Sequence, residues 1–341
     1  MDTTQEARRP TLHDVAALAG VSIKTVSRVV NGVSTVDKGI AERVREAVTR
    51  LGYRPNQLAS RLRSGAPTAT IGLILKDISN EFYSSITLGV ASSARSRSTQ
   101  LITAASEEDI DAAEELDLIF DLCRRRVDGM IVIPRGGDYS ALQPEIELGT
   151  PMVFLDRHPE ELSVDSVMLD NAGGSRAAIN RLVELGHRRI GLVFHDLELE
   201  PIEARLAGVR DALADAGIDE DPDLLVSGLH DPESARLAAQ RMLQMDEPPT
   251  AIFCAYNRLT EGVLTAVWEV RAQTLVAGFD DFRFSGLVPV PLVLVAYDAQ
   301  RYGRTAADLL FDRIAGDRSP SRKIVLPTSI VETGLLSSAR P

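Results

Sequence analysis

From Thr70 onward the chain alternates short apolar runs with amphipathic stretches, and this alternation narrows the possible folds more than any other feature of the sequence. The runs are Ile71–Leu75, Gln100–Ala104, Gly129–Ile133, Pro151–Leu155, Val167–Leu169, Arg189–Phe194, Ala251–Cys254 and Leu275–Phe279, with helix-like segments between most of them. Strands that are almost wholly apolar are buried on both faces, and intervening helices make neighbouring strands parallel. The region is therefore α/β, with parallel sheets flanked by helices. Ligands bind such sheets beyond the carboxyl ends of the strands, so function is to be sought just after each run.

Polar residues cluster at those places. Asp77 to Tyr83, including Asn80 and Phe82, follow the first run; Asp156 and Arg157 follow the fourth; Asp170 and Asn171 follow the next. Tyr256, Asn257 and Arg258 come after the Ala251 run, and Asp280 and Asp281 after the Leu275 run. Singly, an Asp after a strand or an Arg in a helix serves equally well as a cap or a salt-bridge residue. The sequence contains no nucleophile elbow, HExxH, phosphate loop, GxGxxG or CxxC. Its five histidines have no metal-ligand spacing, and His187 reads as part of a helix-to-strand turn. A non-enzyme without cofactor or metal is expected. Cys123 and Cys254 lie far apart in apolar contexts and read as buried thiols.

Upstream of Thr70 the composition changes sign. Residues 1–65 carry eleven Lys and Arg against six Asp and Glu, a net charge of +5, which leaves −17 for the remainder of a chain at −12. A basic head on an acidic body is drawn to phosphate while the body is repelled. The length of 341 residues suits a small domain joined to a large one. No apolar run approaches the roughly 20 residues of a membrane span, and MDTTQEARRP has no hydrophobic segment suited to a signal peptide. A cytoplasmic protein with no membrane partner is expected.

Within the head, Thr11 and Asp14 have capping-box spacing before Leu12, Val15, Ala16 and Ala19, and Gly20 supplies a turn. Ser22 can cap a second helix that runs to Asn31 and Gly32, giving a helical hairpin. Val26, Val29 and Val30 form its apolar face, while Lys24 and Arg28, four apart, share another with Thr25 and Ser27 beside them. In a helix-turn-helix the second helix enters the major groove N-terminus first, where Arg or Lys reads guanine. The same residues also fit a solvated basic face. A third helix is expected near Val36 to Leu51, with Ile40, Val44, Ala47, Val48 and Leu51 inward and Gly52 ending it. After Tyr53, Asn56 can cap a helix of about two turns that Gly65 ends, too short to be stable alone. Its Leu58 and Leu62, with Arg61 and Arg63, suit either a minor-groove wedge or an ordinary amphipathic linker.

The segments TLHDVAALAGVSIKTVSRVVNG, LGYRPNQLASRLRSG and TIGLILKDISNEFYSSI, consecutive and in this order, resemble the head, hinge helix and first sensor strand of the LacI family of bacterial transcription regulators. DNAGGSRAAINRLVELGHRRIGLV, ARLAGVRDAL, AGFDD and TSIVETG extend the resemblance over nearly the whole sensor. It implies a flexible arm at 1–10, a helix-turn-helix domain at 11–55, a hinge helix at 56–65 and a periplasmic-binding-protein-like effector-binding and dimerisation domain at 66–341. The N-lobe would comprise about 70–169 and 298–327, the C-lobe about 170–295 and 328–336. Three crossovers would lie near Leu169 to Asn171, Leu294 to Asp298 and Pro327 to Ser329.

By the same resemblance, Ile23, Lys24 and Arg28 read bases and Leu62 is levered into the central base step. Ser22, Thr25, Ser27, Asn31 and Tyr53 contact backbone, and Asn56, Leu58, Ala59 and Arg61 belong to the DNA-binding hinge. Arg205 and Asp280 fall where the family places its main effector-binding pair. A guanidinium that donates and a carboxylate that accepts suit the hydroxyls of a polyol. Phe82, Tyr256 and Tyr297 would supply an apolar wall, with Asp77, Asn80, Asp156, Arg157 and Asn257 completing the site. The partners implied are pseudo-palindromic operator DNA, a small-molecule effector, most readily a sugar, and a second copy of the chain, in a repressor whose operator affinity the effector changes. The end VETGLLSSARP has no heptad extension, so a dimer is expected rather than a tetramer.

Three departures leave the effector open. Ala255-Tyr256-Asn257 stands where relatives usually read Ala-Asn-Asp, Tyr297 where they have Gln, and the link from Trp268 to Leu275 is short. Two added aromatics suit a sugar face or a nucleobase. A corepressor-dependent regulator with a nucleobase-like ligand is thus an alternative, as is a pure carbohydrate-binding protein, against which the basic head argues.

Overall fold

The computed structural model describes residues 8–54, 67–105 and 112–334. The chain divides into two compact units, Met1–Thr68 and Ala69–Pro341.

The first unit holds α1 (Leu12–Ala19), α2 (Ile23–Val30) and α3 (Lys38–Leu51). The capping box is formed: the Thr11 hydroxyl accepts from the Asp14 N–H at 3.4 Å, and the Asp14 carboxylate accepts from the Thr11 N–H at 2.7 Å. Gly20, at φ 66°, ends α1 in the left-handed region that glycine enters without a Cβ clash. The Ser22 hydroxyl accepts from the Thr25 N–H at 3.1 Å and starts α2. Val15, Ala16 and Ala19 of α1, Val26 of α2, and Val44 and Ala47 of α3 form the core, with Val29, Val30, Val48, Leu51 and Tyr53 packed round it. α3 begins at Lys38 because Asp37 takes the cap, its carboxylate accepting from the Ile40 N–H. Ala41 is buried there, and Ile40, expected inward, is only half-buried. The expected hinge helix, with Asn56, Leu58, Ala59, Arg61 and Leu62, lies outside the described residues.

The second unit is built on two six-stranded sheets. In one, β1 (Thr70–Leu75), β2 (Gln100–Ala105), β3 (Met130–Val132), β4 (Met152–Leu155), β5 (Asp165–Leu169) and β11 (Lys323–Leu326) lie in the order β11-β5-β4-β3-β1-β2, all parallel. In the other, β6 (Ile190–Val193), β7 (Leu225–Val226), β8 (Ala251–Cys254), β9 (Leu275–Phe279), β10 (Leu292–Ala296) and β12 (Ser329–Thr333) follow the order β12-β10-β9-β8-β6-β7. Among the described strands only β12 runs antiparallel to its neighbour.

Helices α4 (Glu81–Ser96), α5 (Ala112–Arg124), α6 (Gln143–Glu147) and α11 (Ala299–Ile314) belong to the first lobe. α7 (Asn171–Glu184), α8 (Glu200–Asp215), α9 (Pro232–Leu243) and α10 (Asn257–Val270) belong to the second. The chain thus passes between lobes three times, after β5, after β10 and after β11. The backbones of α4 and α11 meet through glycines: a Cβ on Gly89 would stand 2.1 Å from the Gln300 carbonyl oxygen, and one on Gly303 2.2 Å from that of Ile86. Ile71, Leu73, Leu75, Ile131, Val153, Phe253, Val293 and Val295 are fully buried in the sheets, as continuous apolar runs require.

Four strands lie outside the runs singled out above. β7 has two residues, β11 and β12 alternate or mix exposed with half-buried positions, and β10 overlaps the crossover expected at Leu294 to Asp298. Cys254 is buried, whereas Cys123, expected to be, is only half-buried on α5. No helix among the described residues is long and apolar enough to cross a membrane.

Candidate functional site

The first candidate surface is α2. Val26 is buried against α1 and α3, which turns Ser22, Ile23, Lys24 and Arg28 outward, all exposed, with Thr25 and Ser27 half-buried at the flank. Ile23 keeps 38% of its surface exposed, unusual for a residue whose neighbours had a core to enter. The Ser22 and Thr25 hydroxyls lie 2.9 Å apart, and the helix start with its unpaired N–H groups favours an anion. Arg28 donates to the Thr35 hydroxyl at 2.6 Å, and the Asn31 amide donates to Ser27 at 3.3 Å. Tyr53 packs half-buried on the helical core, away from the row of exposed α2 residues in sequence. An exposed, partly apolar and basic helix face is what a nucleic-acid groove accepts.

The second candidate is a cavity of ≈ 500 Å³ between the two lobes, within the range of small-molecule sites. Both walls come from the carboxyl ends of strands. Lys76 and Asp77 follow β1, Arg135 follows β3, and Asp156 and Arg157 follow β4. Opposite them, His195 and Asp196 follow β6, His230 follows β7, Tyr256 follows β8 and Asp280 follows β9. Phe82 and Tyr83 of α4, Leu199, and Pro201, Ile202 and Arg205 of α8 complete the lining. Asp156 and Asp280 occupy matching positions in the two lobes, each at positive φ, 79° and 76°, where Asp is one of the few L residues tolerated. Each turns the chain off its strand while its own N–H still donates to the neighbouring strand, to Val167 and Val295.

Arg205 is buried and firmly held. Its Nε donates to Asn171 Oδ1 at 2.9 Å, Nη1 donates to the Ala255 carbonyl at 2.7 Å, and the guanidinium lies 3.5 Å above the Phe279 ring. Asp280 accepts from the Tyr297 hydroxyl at 2.6 Å. Burial raises its pKa above the usual carboxylate value, and the Arg205 charge and the Tyr297 bond only partly offset that. The cavity thus presents a fixed donor and a buried acceptor beside the aromatic rings of Phe82, Tyr83 and Tyr256. Burial pushes the Tyr256 hydroxyl up to about 12, so it stays protonated.

Of the residues expected at this site, Asp77, Phe82, Asp156, Arg157, Arg205, Tyr256 and Asp280 line the cavity, and Asn80, Asn257 and Tyr297 do not. Asn80 and Asn257 bond to one another across the lobes, the Asn257 amide donating at 2.9 Å and the Asn80 amide at 3.4 Å. The Asn80 amide also bonds to the Tyr256 hydroxyl at 3.1 Å. Tyr297 lies behind Asp280 and lines, with Asn257, an adjoining depression of ≈ 370 Å³. These three support the cavity wall instead of facing its interior. Lys76, Arg135, His195 and Asp196 were missed although each closely follows an apolar run, so applying the strand-end rule to every run would have found them. His230 had no such signal, because the strand before it is two residues long.

Histidine spacing gave no metal set, yet the adjacency of β6 and β7 brings His195, Asp196 and His230 together, with one ligand atom from each within 4.8 Å of the others. A cation fits this set by residue type. The hydrogen bonding is that of a neutral chain: the Asp196 N–H donates to His195 Nδ1 at 2.7 Å, which leaves the His195 proton on Nε2, 3.2 Å from His230 Nδ1. Burial, the largest cause, holds His195 down at about 4.

Comparison with known proteins covers both surfaces. Residues 11–56 match the family described as bacterial regulatory proteins, lacI family, and residues 179–334 match the periplasmic binding protein-like domain. The ribose operon repressor of Haemophilus influenzae is 30% identical over 334 residues, 96% of this chain and 99% of that protein. Among solved structures, the lac repressor dimer bound to operator and the anti-inducer ONPF is 28% identical with a TM-score of 0.83, covering 95% of this chain and 98% of that one. The complex of the transcriptional regulator CelR with cellobiose is 31% identical with a TM-score of 0.69, over 95% and 98% of the respective chains.

Proposed function

Since this chain belongs to the LacI family of bacterial regulatory proteins, we propose that it is a repressor whose α2 reads operator DNA and whose interlobe cavity binds the effector that changes operator affinity. The observation that carries the reading is the conjunction, in one chain, of an exposed Ile23–Lys24–Arg28 face on a capped helix and a ≈ 500 Å³ cavity containing Arg205 and Asp280. Ile23, Lys24 and Arg28 read bases; Ser22, Thr25, Ser27, Asn31 and Tyr53 hold backbone; Asn56, Leu58, Ala59 and Arg61 bind DNA as part of the hinge, and Leu62 is levered into the central base step. Two-fold operators call for a two-fold protein, so the working form is a homodimer in the cytoplasm, a reading supported by the lac repressor dimer on its operator.

The effector is a carbohydrate. Arg205 donates and Asp280 accepts beside aromatic faces, the set that adjacent hydroxyls on a ring require. The CelR complex with cellobiose supports the same class. We read the protein as a binder rather than a catalyst, in line with its relatives, which are named as regulators. Effector and operator binding are linked through the two arrangements of the lobes, so each weakens the other by one common factor, typically about 5- to 150-fold.

The test is fluorescence anisotropy of the full chain on DNA from upstream of its own gene, at stated salt, with a panel of sugars and nucleosides. Specific, salt-sensitive binding released by one sugar is the expected result. Absence of any specific DNA binding by a folded protein overturns the proposal, and release by nucleosides alone overturns the carbohydrate assignment.

A further inference from the structure

Resting on the reading of this cavity as the effector site, we propose that the wall formed by Lys76, Arg135 and Arg157 is a subsite for an anionic group on the effector, a phosphate monoester or a carboxylate. The three cations stand at the ends of β1, β3 and β4, which are consecutive in the sheet, so one lobe gathers positive charge while the opposite lobe presents Arg205 and Asp280 to hydroxyls.

Two members of this wall, Arg157 and Lys76, are incompletely satisfied among the described residues. Arg157 is 90% buried on its side chain, its Nη1 donates to the Arg135 carbonyl, and its buried Nε has no hydrogen-bond partner; the Asp156 carboxylate is 4.0 Å away. Lys76, at the cavity surface, makes no hydrogen bond or ion pair with any of the described residues. An ammonium at the cavity surface without a partner is costly, and an entering anion removes that cost for Lys76 while its charge offsets that of buried Arg157.

Acidic groups face the wall from both lobes: Asp196 stands across the cavity beside His195 and His230, and Glu115 keeps one buried oxygen, Oε1, without a hydrogen-bond partner among the described residues. Asp77 faces Arg258 at 3.7 Å, Asp280 takes the Tyr297 hydroxyl, and Glu115, buried beneath the wall, accepts from Tyr139 and the Arg135 N–H. Burial, then the charges of Arg157 and Arg135, pull Lys76 down to about 7, against the opposing pull of Asp156 and Glu115. An anion beside it reverses that shift, so binding takes up a proton near neutral pH.

Calorimetry on the full chain tests the assignment with inorganic phosphate and with matched sets: glucose, glucose 6-phosphate and glucuronate; ribose and ribose 5-phosphate. Phosphate alone is expected to raise the melting temperature above that in chloride of equal ionic strength. The anionic member of at least one set binds tenfold or more tightly than its neutral parent, with heat that varies with buffer ionisation enthalpy because a proton is taken up. Phosphate esters bind above glucuronate if the group is a phosphate, and the order inverts if it is a carboxylate. K76Q and R135Q, checked for folding by far-UV circular dichroism, each lose most of the phosphate response. Equal response of wild type and both variants to phosphate, or neutral sugars binding as tightly as every anionic partner, overturns the subsite. A chain that binds operator but fails this comparison keeps its regulatory role; one that passes it without binding operator keeps the subsite.

Discussion

Replacing Arg205 with methionine keeps most of the side chain's length and volume while removing its charge and every donor. Asn171 Oδ1 and the Ala255 carbonyl then lose the bonds of 2.9 and 2.7 Å that they accept, the Phe279 ring loses its cation, and buried Asp280 loses the positive charge that holds its pKa down. Removing one member of a buried charge pair costs about 3–5 kcal/mol. Arg205 borders the cavity, from which water reaches part of the vacated polar surface, so the lower end, about 3 kcal/mol, is expected.

Urea unfolding followed by circular dichroism at pH 8 and pH 5 measures it. The sign with pH follows from Asp280, whose folded pKa is already raised by burial and which Arg205 holds back from rising further. A raised folded pKa contributes stability below the unfolded value that is lost as pH rises through the folded one. R205M raises it more, so the deficit is larger at pH 8 and shrinks at pH 5. In the double variant R205M/D280N the two costs are not additive, since D280N removes the unpaired charge. A deficit under about 1 kcal/mol, or one that grows toward acid, refutes the reasoning.

Three further variants probe the rest of the chain. R28A is expected to weaken operator binding by about 1–3 kcal/mol and to relax preference at one base position, read by anisotropy on an operator library; a uniform loss across sequences would make Arg28 a phosphate contact instead. G303A places a Cβ 2.2 Å from the Ile86 carbonyl oxygen and must force α4 and α11 apart, at a cost of about 1–3 kcal/mol or more; an unchanged urea midpoint would show that the interface gives freely. D165N removes the charge of a fully buried carboxylate that accepts twice from Arg313 at 2.8 Å and from the Arg322 N–H at 2.7 Å, and turns one of its acceptor oxygens into an amide that faces a donor. Burial raises the Asp165 pKa, but those bonds and charges outweigh it and hold the pKa below the ordinary 3.8. The stability it contributes is present above the unfolded value and is lost as pH falls through the folded one. D165N therefore costs about 3–5 kcal/mol at pH 7, and the gap to wild type closes in acid unfolding curves below about pH 4.

The fold class was legible because sheets buried on both faces write themselves as unbroken apolar runs. Where a strand is an edge, the signal weakens: β11 is covered on one side only, Lys323 and Val325 face solvent, and the apolar run shrinks to the three residues Ile324–Leu326. β7 is too short for any period. In the head, local chemistry sufficed, since Thr11, Ser22, Gly20 and Gly52 act within a few residues of themselves. The cavity was half legible. Strand-end position finds Asp156, Arg157 and Asp280, but not which way a side chain turns once the lobes face each other. Asn80 and Asn257, 177 positions apart, satisfy one another's amides, and nothing local to either announces the other.

That amide pair bears on how the two lobes communicate. Asn80 lies in one lobe and Tyr256 and Asn257 in the other, and Asp77 reaches Arg258 along the same seam. Further along the cleft, Glu200 of the second lobe accepts from the His158 N–H at 3.2 Å and stands 3.9 Å from Lys323, both of the first. The lobes are therefore joined by direct polar contacts at both these places, besides the three chain passages. An effector shifts the balance between two arrangements only by as much as it binds one better than the other. Contacts that span the lobes enter that difference, whereas contacts confined to one lobe, such as Arg205 with the Ala255 carbonyl, set affinity equally in both. The cationic wall and the Arg205–Asp280 pair sit on opposite lobes, so an effector that touches both is sensitive to their separation. One that touches a single lobe binds without exerting control.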